Sequence, residues 1–326
     1  MVESQSDTIS FEKDRCGIAN LRKFRHSAMA ATFEIFIVHR DAVYAEQAAW
    51  AAFEELDRIE GNLSRFIENS DVSRINSLAA NQPLQLGPTA FECLATSIEM
   101  SKQTKGAFDI TIGLLYDCWL DKDRTPRKPS KKELNAALKK TGSELLELNE
   151  PEHTVTLRID DVHIDFGAIG KGYAADKIGQ LLGEWGIKVA LISAGQSTIL
   201  PVGVPDGLAG WPISLSDPAD YSRLIAKIHL SGRAISASGL RKGQHIINPR
   251  SGKPVTRPGA WSMAKTAAEA DALSTAFMVM PANAVRSFCE EHKDTSALLV
   301  LSGKSKKTGR RLLRFGRWGK AKFCSK

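Results

Sequence analysis

Leu145-Leu146-Glu147-Leu148 and Val155-Thr156-Leu157 are two short apolar runs separated by a polar stretch that contains Pro151. They read as the arms of a β-hairpin. Outward from this pair, strands and helices do not alternate in regular βαβ units. Upstream, Phe33 to Val38 alternates as a strand, and Ala42 to Glu60 repeats with Trp50, Phe53, Leu56 and Ile59 at helical spacing. Pro88-Thr89 opens a helix from Ala90 to Thr104 that closes at Lys105-Gly106, and Ser130 with Glu133 marks a capped helix start. Between them, Asp121 to Lys132 is charged, holds two prolines and reads as a mobile loop. Downstream come a helix from Lys171 to Trp185, a strand from Val189 to Ile199 and strands near Ile213 and Ile225. A helix around Asp271, another from Asn283 to Glu291 and a strand from Ala297 to Leu301 complete the order. Hairpin-like connections of this kind predict an α+β fold of largely antiparallel sheets with packed helices.

A hydrophobic share of 43% and a charged share of 25% are those of a soluble globular chain. No stretch approaches the ~20 apolar residues of a membrane span. Met1 to Asp14 is polar, carries four acidic residues and has no apolar core of a secretory signal, so the expected location is the cytoplasm, or export were the natural chain longer. The five cysteines are scattered without a C-x-x-C pair, which suits reduced thiols and suggests neither a disulfide framework nor a zinc site. Charge is uneven. The last 23 residues, Lys304 to Lys326, hold ten Lys or Arg and no acid; the rest has 34 basic against 37 acidic residues, a balance of −3. The expected organisation is a polar extension over 1–23, one domain over 24–303 and a basic, solvated tail over 304–326. Such a tail could touch an acidic surface, but nothing in it reads bases, so no specific nucleic acid is expected.

Several segments carry chemistry. Ala267-Ala268-Glu269-Ala270-Asp271-Ala272-Leu273-Ser274-Thr275-Ala276-Phe277 reads as a helix, and Asp271 and Thr275, four apart, share one face. A carboxylate beside a hydroxyl offers hard oxygen donors that suit Mg²⁺. In His163-Ile164-Asp165-Phe166-Gly167-Ala168-Ile169-Gly170-Lys171-Gly172-Tyr173-Ala174-Ala175-Asp176, an apolar alternation ends in three glycines within six residues before a helix begins. That turn can bring backbone N–H groups and Lys171 to an anion, although the spacing fits neither a dinucleotide fingerprint nor a P-loop. Ser236-Ala237-Ser238-Gly239 precedes Gln244-His245-Ile246-Ile247-Asn248-Pro249, which reads as a His-bearing strand ending in a turn. Thr104-Lys105-Gly106-Ala107-Phe108-Asp109-Ile110-Thr111 and Ala28-Met29-Ala30-Ala31-Thr32-Phe33 complete the set. Each segment taken alone also has a plain structural reading as turn, strand or cap.

Taken together and in order, these segments resemble the FAD:protein FMN transferase family, the ApbE-like flavin transferases. The similarity runs from about Phe24 to about Leu301. It is carried by Gly106-Ala107-Phe108-Asp109-Ile110-Thr111, by Gly167 to Asp176, by His245-Ile246-Ile247-Asn248-Pro249 and by Ala270 to Thr275. Leu63-Ser64-Arg65-Phe66 and Ser70-Asp71-Val72-Ser73-Arg74-Ile75-Asn76 add weaker support.

The resemblance implies an ApbE-like, T-fold-related architecture and transfer of FMN from FAD to a Thr or Ser hydroxyl of an acceptor flavoprotein, with AMP released. It implies Mg²⁺ held by Asp271, Thr275 and the carbonyl of Ala168; Ser274 stands where some relatives place another carboxylate. It implies FAD contacts at Met29, Phe66, Ala107, Phe108, Asp109, Asp165, Lys171 and Ile247. Phe66 occupies a position often held by Tyr and cannot donate a hydrogen bond. His245 is the expected general base, with an ordinary pKa of ~6.5, and Lys171 the charge partner for phosphate. The family's Gly-Gly followed by Asp or Asn is here Ala194-Gly195-Gln196. Two other classes fit the same residues: an FAD pyrophosphatase giving FMN and AMP, and a non-catalytic FAD-binding paralogue.

Overall fold

The structure, a computed structural model, describes residues 8–11, 17–121, 123–218, 220–240, 245–302 and 311–324. Contacts divide the chain into two compact units: residues 1–57, 171–241 and 257–326, and residues 58–170 and 242–256. The strands are β1 (Ile9–Phe11), β2 (Leu21–Ala28), β3 (Ala31–Val38), β4 (Pro83–Gln85), β5 (Leu146–Asn149), β6 (Thr154–Leu157), β7 (Ala190–Ala194) and β8 (Thr198–Val202). They continue as β9 (Trp211–Asp217), β10 (Asp220–Leu230), β11 (Ala234–Gly239), β12 (Gly259–Ala264), β13 (Ser296–Leu301), β14 (Arg311–Phe315) and β15 (Lys322–Phe323). The helices are α1 (Ala42–Leu63), α2 (Asp71–Asn76), α3 (Pro88–Gln103), α4 (Gly113–Cys118), α5 (Lys131–Leu138), α6 (Gly170–Glu184), α7 (Ala267–Val279) and α8 (Ala282–Glu291).

In the first unit an eight-stranded sheet runs β14-β13-β12-β11-β8-β7-β3-β2, and a four-stranded sheet runs β1-β9-β10-β15. The pairs in both are antiparallel. Trp211, Ile213 and Leu215 of β9 and Ile225 and Ile228 of β10 meet Leu191, Ile235, Trp261, Met263, Leu298 and Val300 of the larger sheet, so the core lies between the sheets. Strand β12 is buried throughout. Trp261 and Met263 belong to that core, while the Ser262 hydroxyl donates to the Ala270 carbonyl of α7. A strand covered on both faces reads as a continuous apolar run rather than an alternation.

In the second unit the hairpin read from the sequence is present. Leu146 pairs with Leu157 and Leu148 with Val155, and β4 joins β6 as a third antiparallel strand. Ser130 and Glu133 form the expected capping box at the start of α5. Asn76 lays its side-chain amide along the backbone of Ile164, donating to the carbonyl at 3.1 Å and accepting the N–H at 2.7 Å. This fixes the segment before the glycine turn. The alternation there predicts a strand, but residues 161–166 carry no ladder. A side-chain amide does the pairing, helped by Asp165 N–H to the Ile110 carbonyl at 2.8 Å.

Other readings are corrected. Val189 to Ile199 is not one strand: it turns at Gly195 and Gln196, so that β7 and β8 form a hairpin. His245 and Ile246 are not in a strand, and Ile247 makes an isolated bridge with Pro254. Trp50 is 60% exposed; the buried face of α1 is built from Ala45, Ala48, Ala49, Ala52, Phe53, Leu56 and Ile59. The expected extensions contribute strands: Ile9 is buried, Phe11 meets Trp211 and Phe36 edge-on, and the boundary at residue 23 falls inside β2. In the basic tail, β14 pairs with β13 and β15 with β10. Residues 303–310, where the tail begins, and Gln244 lie outside the described residues. Leu312, Trp318 and Phe323 pack on the inter-sheet core, and that apolar burial offsets the ordering entropy of a charged segment. Among the described residues no helix is long and apolar enough to cross a membrane.

Removing one of these anchors tests the packing of the tail. Trp318→Ala should lower stability by about 2 kcal/mol in denaturant unfolding. A change within ~0.5 kcal/mol, as for an ordinary surface site, would mean that the tail contributes nothing to the core.

Candidate functional site

Helix α7 is apolar or small on nearly every side, so no amphipathic stripe sets its rotation. Its ends do that instead. At the N-terminus Asp176, reaching from α6, accepts the N–H groups of Ala267 at 2.7 Å and Ala268 at 2.8 Å. Thr266 accepts the Glu269 N–H at 3.1 Å, and the Glu269 carboxylate returns to the Thr266 N–H at 3.3 Å. Every N–H of the first turn is therefore partnered. At the other end Arg257 donates to the carbonyls of Phe277 and Met280, the latter at 2.7 Å. An anion at the start and a cation at the end both match the helix dipole.

This places Asp271, Ser274 and Thr275 together. Asp271 is 4% exposed. Its Oδ2 accepts the Gly172 N–H at 3.1 Å and its Oδ1 accepts the Ser236 hydroxyl at 3.2 Å. Ser236 in turn lies 2.9 Å from Thr198 Oγ1. Ser238 Oγ bridges Ser274 Oγ at 2.7 Å and Thr275 Oγ1 at 3.1 Å. The small-residue run Ser236-Ala237-Ser238 is thus the strand face against which α7 sets its polar groups. The result is one carboxylate among hydroxyls, a hard-oxygen set whose donor chemistry fits Mg²⁺. Among the described residues no cluster of three or more His, Cys, Asp or Glu forms an alternative metal site.

Gly172 explains part of the glycine motif. A Cβ there would lie 2.2 Å from the Ala267 carbonyl oxygen, so only glycine lets α6 and α7 approach this closely. The Lys171 side chain runs past Gly195, in the turn between β7 and β8. Two more residues near this sheet end, Met29 (φ 54°) and Ala30 (φ 52°), form the β2–β3 turn in the left-handed region without glycine or asparagine, and Gln196 shares that conformation at φ 62°. Met29 and Lys171 are thus neighbours of the Gly195 turn at one end of the sheet.

The remaining expected residues lie in the second unit. Ala107, Phe108 and Ile247 are buried, and the Ile247 side chain packs with Leu115 and Ala137. Asp109, which the resemblance implies as a nucleotide contact, is engaged within its own unit. Its Oδ1 accepts Thr111 N–H at 2.9 Å and Thr111 Oγ1 at 2.6 Å, and its Oδ2 accepts Ser143 N–H at 2.9 Å and Ser101 Oγ at 3.2 Å. Burial pushes its carboxyl up, and the four donors hold it down only in part. Asp109 is a structural tie. Asp165 is more open: Oδ1 accepts the Gly167 N–H at 2.7 Å, and Oδ2 stands 3.0 Å from Arg65 Nε at ion-pair distance. Phe66, next to Arg65, is 74% exposed. His245 is half-buried on irregular backbone, and Ala168 sits in the turn leading to α6. Sequence reading missed Asp176 and Arg257, because caps supplied from a distant element leave no local spacing to find.

An antiparallel α+β fold whose buried helix carries a carboxylate and hydroxyls defines the class of this protein. The ApbE family profile matches residues 29–299, and the chain belongs to that family. It is 29% identical over 242 residues to the FAD:protein FMN transferase of Escherichia coli (strain K12), covering 69% of each chain. It is 26% identical over 296 residues to that of Klebsiella pneumoniae (strain 342), covering 86% of this chain and 84% of the relative. Among solved structures it matches the flavin transferase ApbE from Vibrio cholerae with a TM-score of 0.80 at 22% identity, over 90% of this chain and 97% of that one. The ApbE protein from Thermotoga maritima matches with a TM-score of 0.79 at 26% identity, over 89% and 96%.

The clamp on α7 is testable by pH. Burial raises the Asp176 carboxyl to about 6, against the pull of its two N–H donors. The folded pKa lies above the unfolded value of ~3.9, so the folded state holds the proton more tightly. Stability should therefore fall as pH rises from about 4 to about 6 and stay level above. The difference between wild type and Asp176→Asn should trace that slope over roughly 3 kcal/mol in urea midpoints measured from pH 4 to 7. A pH-independent difference would rule it out. Separately, Gly172→Ala should cost roughly 1–3 kcal/mol by overpacking, read in the same assay.

Proposed function

We propose that the chain transfers FMN from FAD to a Thr or Ser hydroxyl of an acceptor flavoprotein, releasing AMP, and that the reaction depends on Mg²⁺. The observation that carries this reading is the buried Asp271 with its hydroxyl neighbours on a helix clamped at both ends. Family membership and the names of the relatives support it.

In the proposed reaction the acceptor oxygen attacks the phosphorus on the FMN side of the diphosphate. A new P–O bond forms, the bond to the bridging oxygen breaks, and AMP departs with that oxygen. His245 takes the proton of the attacking hydroxyl. Asp271, Ser274 and Thr275, with the Ala168 carbonyl that the resemblance adds, would hold Mg²⁺, which when bound offsets charge on the diphosphate. Lys171 offers its ammonium to phosphate oxygen, and its stem is guided by the Gly195 turn. Met29, Phe66, Asp165 and the backbone around Ala107, Phe108 and Ile247 bind the rest of FAD. The buried carboxylate of Asp271 stays oriented because the Gly172 N–H and the Ser236 hydroxyl use one lone pair on each oxygen and leave the others for the metal.

Incubation with FAD, Mg²⁺ and a candidate acceptor should give AMP together with an FMN-sized mass increase on the acceptor. AMP with free FMN and unmodified acceptor would mean hydrolysis; intact bound FAD throughout would mean a binder. Asp271→Ala or EDTA should abolish FAD cleavage, and turnover indifferent to EDTA would remove the metal from the mechanism. His245→Ala should keep FAD affinity and slow transfer roughly 10²–10⁴-fold. A folded His245→Ala variant working at wild-type speed would sink the base assignment.

A further inference from the structure

Phe66 is an aromatic ring left 74% exposed, and its surroundings are more ordered than that figure suggests. The Arg65 guanidinium lies 5.1 Å from the ring centroid and that of Arg124 lies 5.6 Å away. The same two groups stand 5.7 and 5.8 Å from the Tyr116 ring. Both are tied to one oxygen, Asp117 Oδ1, Arg65 Nη2 at 2.9 Å and Arg124 Nη1 at 3.2 Å. Two cations held by one oxygen atom cannot flank the Phe66 ring from opposite faces. They sit close together beside the ring, and the residue as a whole stays 74% exposed.

The arrangement is built from two sources. Arg65 is nearly buried and also meets Asp165. Arg124 comes from the charged segment that reads in the sequence as a mobile loop. Here that segment is internally tied. Asp121 accepts the N–H groups of Asp123 at 3.0 Å and Thr125 at 2.9 Å, together with the Thr125 hydroxyl. The Arg124 N–H donates to the Asp121 carbonyl at 3.0 Å, and the Arg127 N–H donates to the Trp119 carbonyl at 2.8 Å. These bonds hold Arg124 itself in the left-handed region, at φ 62°.

We propose that Arg124 is a positioning residue for flavin binding: with Arg65 and Asp117 it braces the Phe66 ring, so that its exposed surface is presented for stacking on the isoalloxazine of FAD. This rests on the reading of Phe66 as an FAD contact. A tyrosine can fix its ring by a hydrogen bond from the phenol; phenylalanine has no such handle, and cation–π contacts supply the constraint instead. Arg124 acts through the ring and does not touch the reacting atoms.

The test is a double-mutant cycle on FAD binding, measured by calorimetric titration of the full chain with FAD and Mg²⁺. Arg124→Ala should weaken Kd by roughly 3–10-fold with the melting temperature little changed. Arg124→Lys, which keeps the cation, should recover most of the loss. In the Phe66→Ala background, Arg124→Ala should have no further effect. An equal loss in both backgrounds, or no loss in either, would overturn the proposal. If Phe66→Ala leaves Kd unchanged while the wild type binds FAD, the platform fails and the flavin reading stands. If the wild type does not bind FAD, both fall together.

Discussion

The Asp176 carboxylate at the head of α7 is the constraint on which the polar centre of the first unit depends. A helix as uniformly apolar as α7 has no amphipathic reason to prefer one rotation over another. The carboxylate fixes its N-terminus, the Arg257 guanidinium fixes its C-terminal carbonyls, and Gly172 removes the Cβ that would hold α6 away. With both ends set, Asp271 and Thr275 face the serines of β11, and Asp271 also meets the Gly172 N–H of α6. The cost is a half-buried carboxyl whose pKa is lifted to about 6, so the clamp is ionised at neutral pH and protonated under mild acid.

The antiparallel architecture was legible in the sequence because hairpin arms, capped helix starts and glycine turns are local signals. Ser130 with Glu133 and Leu146 opposite Leu157 needed nothing beyond neighbouring residues. What could not be read depends on partners far along the chain. Asp176 looks like an ordinary helical acid until Ala267, ninety-one residues away, supplies its donors. Residues 161–166 alternate like a strand, yet their partner is a single Asn side chain. The C-terminal segment reads as a solvated basic tail because charge dominates its composition, while its placement is decided by Leu312, Trp318 and Phe323.

The polar groups proposed for chemistry were easier to locate than to rank. Asp109, Asp165, Asp176 and Asp271 carry the same functional group, and their local sequence alone offers no way to separate them. Their hydrogen-bond inventories do. Asp109 accepts four donors from its own unit, which fills the lone pairs of a carboxylate and leaves none for a ligand. Asp176 accepts one donor on each oxygen, and both donors are N–H groups at the head of α7, so it serves as the cap of that helix.

Asp271 and Asp165 differ from Asp109 in how many donors they accept. Each oxygen of Asp271 accepts one donor, so the group is aligned and keeps capacity for a cation. Asp165 turns one oxygen to a backbone N–H and the other to Arg65, and it retains exposure that Asp109 lacks. A carboxylate that must bind something has to be held without being saturated, because desolvation with no free lone pair gives only a structural tie. By that criterion Asp271 and Asp165 remain candidates for substrate and metal chemistry. The closing of Asp109 then follows from its place in the fold, where it links the end of α3 to the segment before β5 and holds the Gly106-Ala107-Phe108 turn between them.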